Sequence, residues 1–452
     1  MKTKSLFLFA AFSTLISLAS CGNSKKNDPK VLTIATSGDV SENDILTTFR
    51  RGFLAKEENK DITISIIKIN DNYDSWINKK LYVDQVPDLI QVYDYSSEFW
   101  TNFDTDGRGN GLFYPISEYF NRDGLNENDY FPSIIEMTKS GPSGDNNMYW
   151  MPRDYNKVVC VYNKKIFDAA GISYPTSSWT YDDFVSISES LLAKKDSITQ
   201  YSKTATFYPA DMNLNWQAFY YPLLKSYNAD LIDRENGKAL LNEEVVKTQF
   251  RKVLDMPLRG LAVPPDNQTS APFANKQAAM MFVSRPNVTN YVKSLGADNI
   301  DFVSMPIYSD KTASQSFVGM GCTGYAITTS CAPEKRETAW KFLKYIISEE
   351  GQNAFSKMGS GVPVIKSLAN DPESEFRKYL PNANNDAFVS DFERDIPMNF
   401  MKGFHPEKQL GIYTYLLNNC LSNFYKQLKK SEQDYLSYFE TFKKSFENTW
   451  TK

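Results

Sequence analysis

At 452 residues, with 42% hydrophobic side chains and a net charge of −4, the chain can fill more than one core and lacks the basic excess of a nucleic-acid-binding protein. A single histidine, His405, argues against His-rich metal sites and against most Ser–His or Cys–His hydrolases. Cys160, Cys322, Cys331 and Cys420 are widely spaced without a CxxC pair, so neither a zinc site nor any other cofactor is expected. Cys322 and Cys331 either bridge or rest as buried thiols.

Along the chain, the first element is a targeting segment. Lys2 and Lys4 precede an apolar run, Leu6 to Leu18, that is too short to span a bilayer. The run ends in Leu18-Ala19-Ser20-Cys21-Gly22, which resembles a bacterial lipobox. Residues 1–20 are therefore expected to be a lipoprotein signal peptide, with Cys21 as the lipidated residue. Each CH₂ of an acyl chain buried in the membrane contributes about 0.8 kcal/mol, so several chains on Cys21 would anchor the protein stably. Residues 21–30 form a polar tether without hydrophobic periodicity. No second apolar run of spanning length follows.

Removing the signal leaves about 430 residues, which suggests two domains. Val31 to Ala35 reads as a strand, and Ile45, Leu46, Phe49, Phe53 and Leu54 then recur with helical spacing. A β-branched strand from Asp61 to Ile69, a short helix around Trp76 to Leu81 and a strand from Pro87 to Val92 complete a βαβαβ pattern. Such a pattern predicts a parallel sheet with ligand loops beyond the strand ends, here 37–39, 70–73 and 93–95. An irregular stretch at 101–111 and a compact element at 114–119 lead to a strand at Val158 to Tyr162. Thr180 with Asp183 suits the start of a helix running through Phe184 and Leu191, under which Trp179 packs as a core anchor. Further strands are expected at 278–283, 300–305 and 324–328, and helices at 337–347 and 411–428.

Several segments resemble, in order and spacing, the family 1 extracellular solute-binding proteins, the maltose-binding-protein group. They are Val86-Pro-Asp-Leu-Ile90, Tyr149 to Phe167, and Ala170-Gly171-Ile172 followed by Ser178-Trp179-Thr180 through Phe184. Lys276 to Met281, Phe317 to Ile327 and Ala339 to Leu343 continue the series. Gln277, segment 101–111 and the tail beyond 370 depart from the family pattern and bear on the ligand rather than the fold. The resemblance implies an α/β, two-lobed periplasmic-binding-protein-like fold of class II, with lobes joined by crossing hinge strands. Lobe 1 would comprise 30–154 and 307–353, and lobe 2 would comprise 155–306 and 354–452. It further implies a monomer that captures a sugar or oligosaccharide by hinge closure and delivers it to ABC permease subunits. The protein would be held by its lipid on the extracytoplasmic face of the membrane, without catalysis, metal or nucleic acid.

A sugar needs aromatic faces for its C–H surface and polar groups for its hydroxyls. Asp39 follows the first strand, and Tyr93, Asp94 and Tyr95 leave the third. Asp154 and Asn156 lie at the expected hinge, Asn156 where the family places a ligand carboxylate, with Arg153 able to pair with Asp154 as a structural bridge. Trp216, Arg285 and His405 are the second-lobe candidates, and Gly319, Met320 and Gly321 offer backbone N–H groups where glycine permits close approach. Rival readings are a lipoprotein enzyme using two carboxylates, which no motif marks, and a glycan-docking surface lipoprotein, whose class is largely helical. A peptide, polyamine or organophosphate ligand also stays open.

Overall fold

The computed structural model describes residues 28–451, apart from 84, 104–110, 143, 234–235, 237, 242, 268–270 and 399–419. In chain order the strands are β1 (Val31–Ser37), β2 (Thr63–Ile69), β3 (Leu89–Tyr93), β4 (Met151–Pro152), β5 (Asn156–Lys157), β6 (Val159–Asn163) and β7 (Tyr208–Asp211). They continue as β8 (Ile232–Asp233), β9 (Lys238–Ala239), β10 (Ala278–Val283), β11 (Ile300–Ser304), β12 (Val318–Gly321), β13 (Thr323–Ile327) and β14 (Asp395–Pro397).

One sheet runs β2-β1-β3-β13-β4, with β1 parallel to both β2 and β3, as the βαβαβ pattern predicts. Helices cover both faces of such a sheet, so its inner strand reads as continuous apolar residues. β3, Leu-Ile-Gln-Val-Tyr, is buried through Val92. The proline–aspartate motif ahead of β3 has a structural reason. The Asp88 carboxylate accepts from the Thr33 amide at 2.8 Å and from its hydroxyl at 2.9 Å, and pairs with Lys335 Nζ at 3.1 Å. One buried acid thus fixes β1, β3 and the helix carrying Lys335 in a single register.

Helix α1 (Val40–Leu54) presents Ile45, Leu46, Phe49 and Phe53 to this core, and Asp39 caps it by accepting from the Ser41 amide at 2.8 Å. The helix expected after Thr180 is α2 (Tyr181–Ala193), entered through a reciprocal Thr180–Asp183 capping box. Trp179 is buried beneath it and donates its ring N–H to the Ser304 carbonyl at 2.8 Å.

The second sheet runs β11-β6-β10-β7, with β6 antiparallel to β10 and β11. Helix α3 (Gln217–Ser226) lies against it, with Pro222 interrupting its pattern. Helices α4 (Pro333–Ile346) and α5 (Glu349–Ser356) return to the first sheet. α4 begins four residues before its expected start because Pro333 occupies the first turn, where the missing N–H has no intrahelical acceptor to lose. α6 (Cys420–Leu428) and α7 (Glu432–Thr451) close the second core, with Phe424 packed on Phe439 at 4.3 Å and on Phe442 at 5.1 Å.

A third sheet, β14-β12-β5, joins the other two. One residue separates β5 from β6, and one separates β12 from β13, so the third sheet feeds directly into the second sheet through β5 and into the first through β12. Lys157 and Asp395 pair inside this junction at 3.2 Å, and Tyr155 and Ser133 also donate to Asp395. Cys160, Cys322, Cys331 and Cys420 are buried and unpaired, so Cys322 and Cys331 are thiols. Among the described residues no helix is long and apolar enough to cross a membrane.

Gly319 in β12 carries the close approach of α3, because a Cβ built there lies 2.2 Å from the Ala218 carbonyl oxygen. That neighbour is helix backbone and cannot swing aside. Gly319→Ala should therefore destabilise the protein by about 1–3 kcal/mol, read as a lower urea midpoint at unchanged slope.

Candidate functional site

Strand direction decides where the site lies. β1, β2 and β3 end at Ser37, Ile69 and Tyr93, and antiparallel β13 starts beside them, with Thr323 opposite Tyr93. On the second sheet β7 and β10 are parallel, and β6 begins at Val159 opposite Val283, the last residue of β10. The carboxyl ends of both sheets therefore meet at the crossing strands, the place where open α/β sheets bind ligands.

On the first-lobe side, Tyr93 and Tyr95 stack at 5.4 Å with planes 8° apart, and Tyr73 meets Tyr93 edge-on at 6.0 Å. Tyr73, from the loop expected to line the site, is instead buried and donates to the carbonyls of Ala35 and Gln91, each at 3.1 Å. Asp94 lies between these rings and the crossing. Its carboxylate accepts from the Tyr95 amide at 2.7 Å and the Cys322 amide at 3.3 Å, and a Cβ on Gly321 would lie 2.5 Å from it. Gly321 is thus needed to make room for Asp94. Burial pushes the Asp94 carboxyl up to about 7, assisted by the nearby negative charge of Asp154 and opposed by the two amide bonds.

Asp154 is buried and accepts from the Thr323 amide at 2.7 Å and from Arg153 Nε at 3.2 Å, so the bridge weighed from sequence is present. Arg153 also donates both terminal nitrogens to Glu42, one at 2.7 Å, in a bidentate pair. Asn156 pairs with Gly321 across β5 and β12. Its side-chain oxygen is buried and has no hydrogen-bond partner among the described residues.

Trp216 is half-buried on the second-lobe side, immediately before α3. Asn213 holds its turn in the left-handed region at φ 51°, donating its amide to Asp211 at 3.0 Å, and its carbonyl accepts the Trp216 amide at 2.8 Å. Met320 is fully buried, its side chain in the first core, and Gly319 faces α3, so of that trio only Gly321 adjoins the acidic cluster.

Arg285 lies elsewhere. Its side chain is wholly buried, donates to the Gly359 carbonyl at 3.1 Å and Asn385 at 3.0 Å, and is enclosed by Phe376, Phe388, Tyr379 and Phe302. Burial lowers it to about 9. This guanidinium ties segment 359–388 to the second sheet and is not presented to solvent. His405 and Cys21 fall outside the described residues. Among those residues, no group of acids, cysteines or histidine is placed to hold a metal ion.

Sequence reasoning missed Glu42 and Gln91. Gln91 is almost fully buried, donates to Glu42 at 2.7 Å and accepts from the Thr36 hydroxyl at 2.7 Å and the Ser37 amide at 2.9 Å. The signal was one amide side chain inside an otherwise apolar strand. A groove of about 820 Å³ near Arg51 and Tyr345 lies far from this cluster, roughly 18 Å along α1 from Asp39 by helical rise.

Two α/β sheets joined through short crossing strands, with tyrosines and acids at the ends that meet, define a two-lobed α/β fold. The profile of the bacterial extracellular solute-binding protein family matches residues 55–382, and the chain belongs to that family. A putative binding protein of Brucella abortus is 20% identical over 283 residues, 62% of this chain and 63% of that one. The chain thus spans under two thirds of the length of the curated relatives it matches. Among solved structures it resembles a Listeria monocytogenes ABC substrate-binding protein in complex with cycloalternan, with a TM-score of 0.67, 15% identity, and coverage of 92% and 99% of the two chains. The sugar-binding protein MalE of Xanthomonas citri gives a TM-score of 0.69, 16% identity, and coverage of 93% and 97%. UgpB of Mycobacterium tuberculosis in complex with glycerophosphocholine gives 0.69, 19%, and coverage of 92% and 98%. These likenesses bear out the two-lobed fold.

The raised Asp94 carboxyl makes a pH prediction. The folded state holds this proton more tightly than the unfolded chain, so its contribution to stability is present below about pH 4 and is lost as pH rises toward 7. Asp94→Asn should remove that decline. The wild-type minus variant unfolding free energy should fall by on the order of 4 kcal/mol across the interval and level off above it.

Proposed function

We propose that the protein is the capture subunit of an ABC importer, binding a sugar or short oligosaccharide between its lobes without catalysis. The lobes would be 30–154 with 307–353 and 155–306 with 354–452, closing about the β5, β12 and β14 crossing. Cys21 would carry the lipid that holds a monomer at the extracytoplasmic face, residues 21–30 would be its tether, and the closed form would present itself to the permease.

The observation that carries this reading is the unpartnered Asn156 oxygen, on the strand residue paired with Gly321, the glycine that abuts Asp94 at the meeting of the strand ends. A buried acceptor left without a donor is costly, and a ligand hydroxyl supplies one. Asp94 and Asp39 accept further hydroxyls, while Tyr95 and Trp216 offer faces for pyranose C–H bonds.

Charge favours a neutral polyol over a phosphodiester. The crossing cations are already paired, Arg153 with Glu42 and Asp154, and Lys157 with Asp395. What the described residues present to a ligand here is carboxylate and amide oxygen.

A thermal-shift screen of residues 23–452 against mono- and oligosaccharides tests the proposal. A sugar at a hundredfold its Kd should add about 2.7 kcal/mol of stability. Trp216→Ala should abolish that shift while moving the unliganded Tm little. Folded protein that responds to no sugar would overturn carbohydrate as the cargo.

A further inference from the structure

Three of the strand ends at the cleft are tied to one almost fully buried side chain. Arg153 is 2% exposed and stands where the chain leaves the first sheet, between β4 and β5. Its bidentate pair with Glu42 reaches the first turn of α1, three residues beyond Asp39. The same Glu42 oxygen takes the Gln91 amide at 2.7 Å, and Gln91 in turn holds Thr36 and the Ser37 amide at the end of β1. On its other side Arg153 Nε engages Asp154, which accepts the Thr323 amide at the start of β13. Its backbone completes the anchoring, donating to the Thr323 carbonyl at 2.8 Å and accepting from buried Gln352 at 3.0 Å.

We infer that Arg153 is the positioning residue of the cleft, a single buried guanidinium that sets the ends of β1, β3 and β13 against the crossing strand before any ligand arrives. The geometry is specific to arginine. The planar fork matches the Glu42 carboxylate with two nitrogens and leaves the third for Asp154, so one cation bridges two acids on different elements. A lysine reaches only one of them well. Asp39, Tyr93, Asp94 and Asn156 are each within three residues of a group in this network, so loosening it would blur all four at once. This inference rests on the cleft being the ligand site, but its test needs no ligand and can fail without that reading failing.

Amide hydrogen exchange on the full chain decides it, comparing wild type with Arg153→Met, Arg153→Lys and Glu42→Gln. Arg153→Met fills the space without the charge. It should speed exchange at the Ser37 and Thr323 amides together, by about tenfold, while Val161 in the second sheet stays protected. Arg153→Lys should fall between Met and wild type, and Glu42→Gln, which spares Asp154, should loosen Ser37 more than Thr323. The proposal is overturned if Met protects both amides as well as Lys does. It is equally overturned if Ser37 and Thr323 loosen only in step with Val161, since that is global destabilisation.

Discussion

A buried arginine held between two acids is the interaction on which the junction depends. Removing water from charges is expensive, and the mutual attraction offsets that expense only where every donor and acceptor is used. Around Arg153 all three nitrogens are engaged, through Glu42, Asp154 and the Tyr325 hydroxyl. Burial works against the charge, but Glu42, Tyr325 and Asp154 outweigh it and hold the guanidinium proton more firmly than in a free arginine. Breaking one arm would leave an uncompensated charge, which typically costs about 3–5 kcal/mol. The network therefore specifies one arrangement of the strand ends rather than a family of them.

The same principle recurs at two other seams. Asp88 with Lys335 fixes the far end of the first sheet, and Lys157 with Asp395 fixes the crossing strands to each other. Burial lowers the Lys157 amine while Asp395 opposes that shift, and the Ser390 and Asp391 carbonyls take its remaining protons at 2.5 and 2.9 Å. Apolar packing fills each lobe, but paired charges decide how elements distant in sequence meet. The candidate site is built at the third such seam, where the Asn156 Oδ1 acceptor is among the buried polar atoms left without a partner.

Much of the fold was legible because its physics is local. Period-two and helical patterns gave β1 through β3, α1 and α2, and the Thr180–Asp183 cap was readable from two residues. What escaped was set by tertiary context. β5 and β14 are two and three residues long, too short to carry a period, and α3 hides behind Pro222. The site was half legible for the same reason. Tyr93, Asp94 and Tyr95 were picked out because strand ends locate loops, and Asp154 and Asn156 because the family resemblance puts the hinge there, whereas Glu42 and Gln91 join this cluster only through partners far along the chain. Arg285 follows a strand end as expected, but its neighbours in 359–388 draw the side chain inward.

The order of strands has a consequence for how the molecule comes into being. Tyr93 pairs with Thr323, so the inner edge of the first sheet stays open until some 230 further residues have been made. The second core likewise lacks the Phe424 and Phe439 rings until the chain is nearly complete. Neither lobe can finish early and trap the other half-built. Native structure in either half therefore forms only once its last strands and helices have been made.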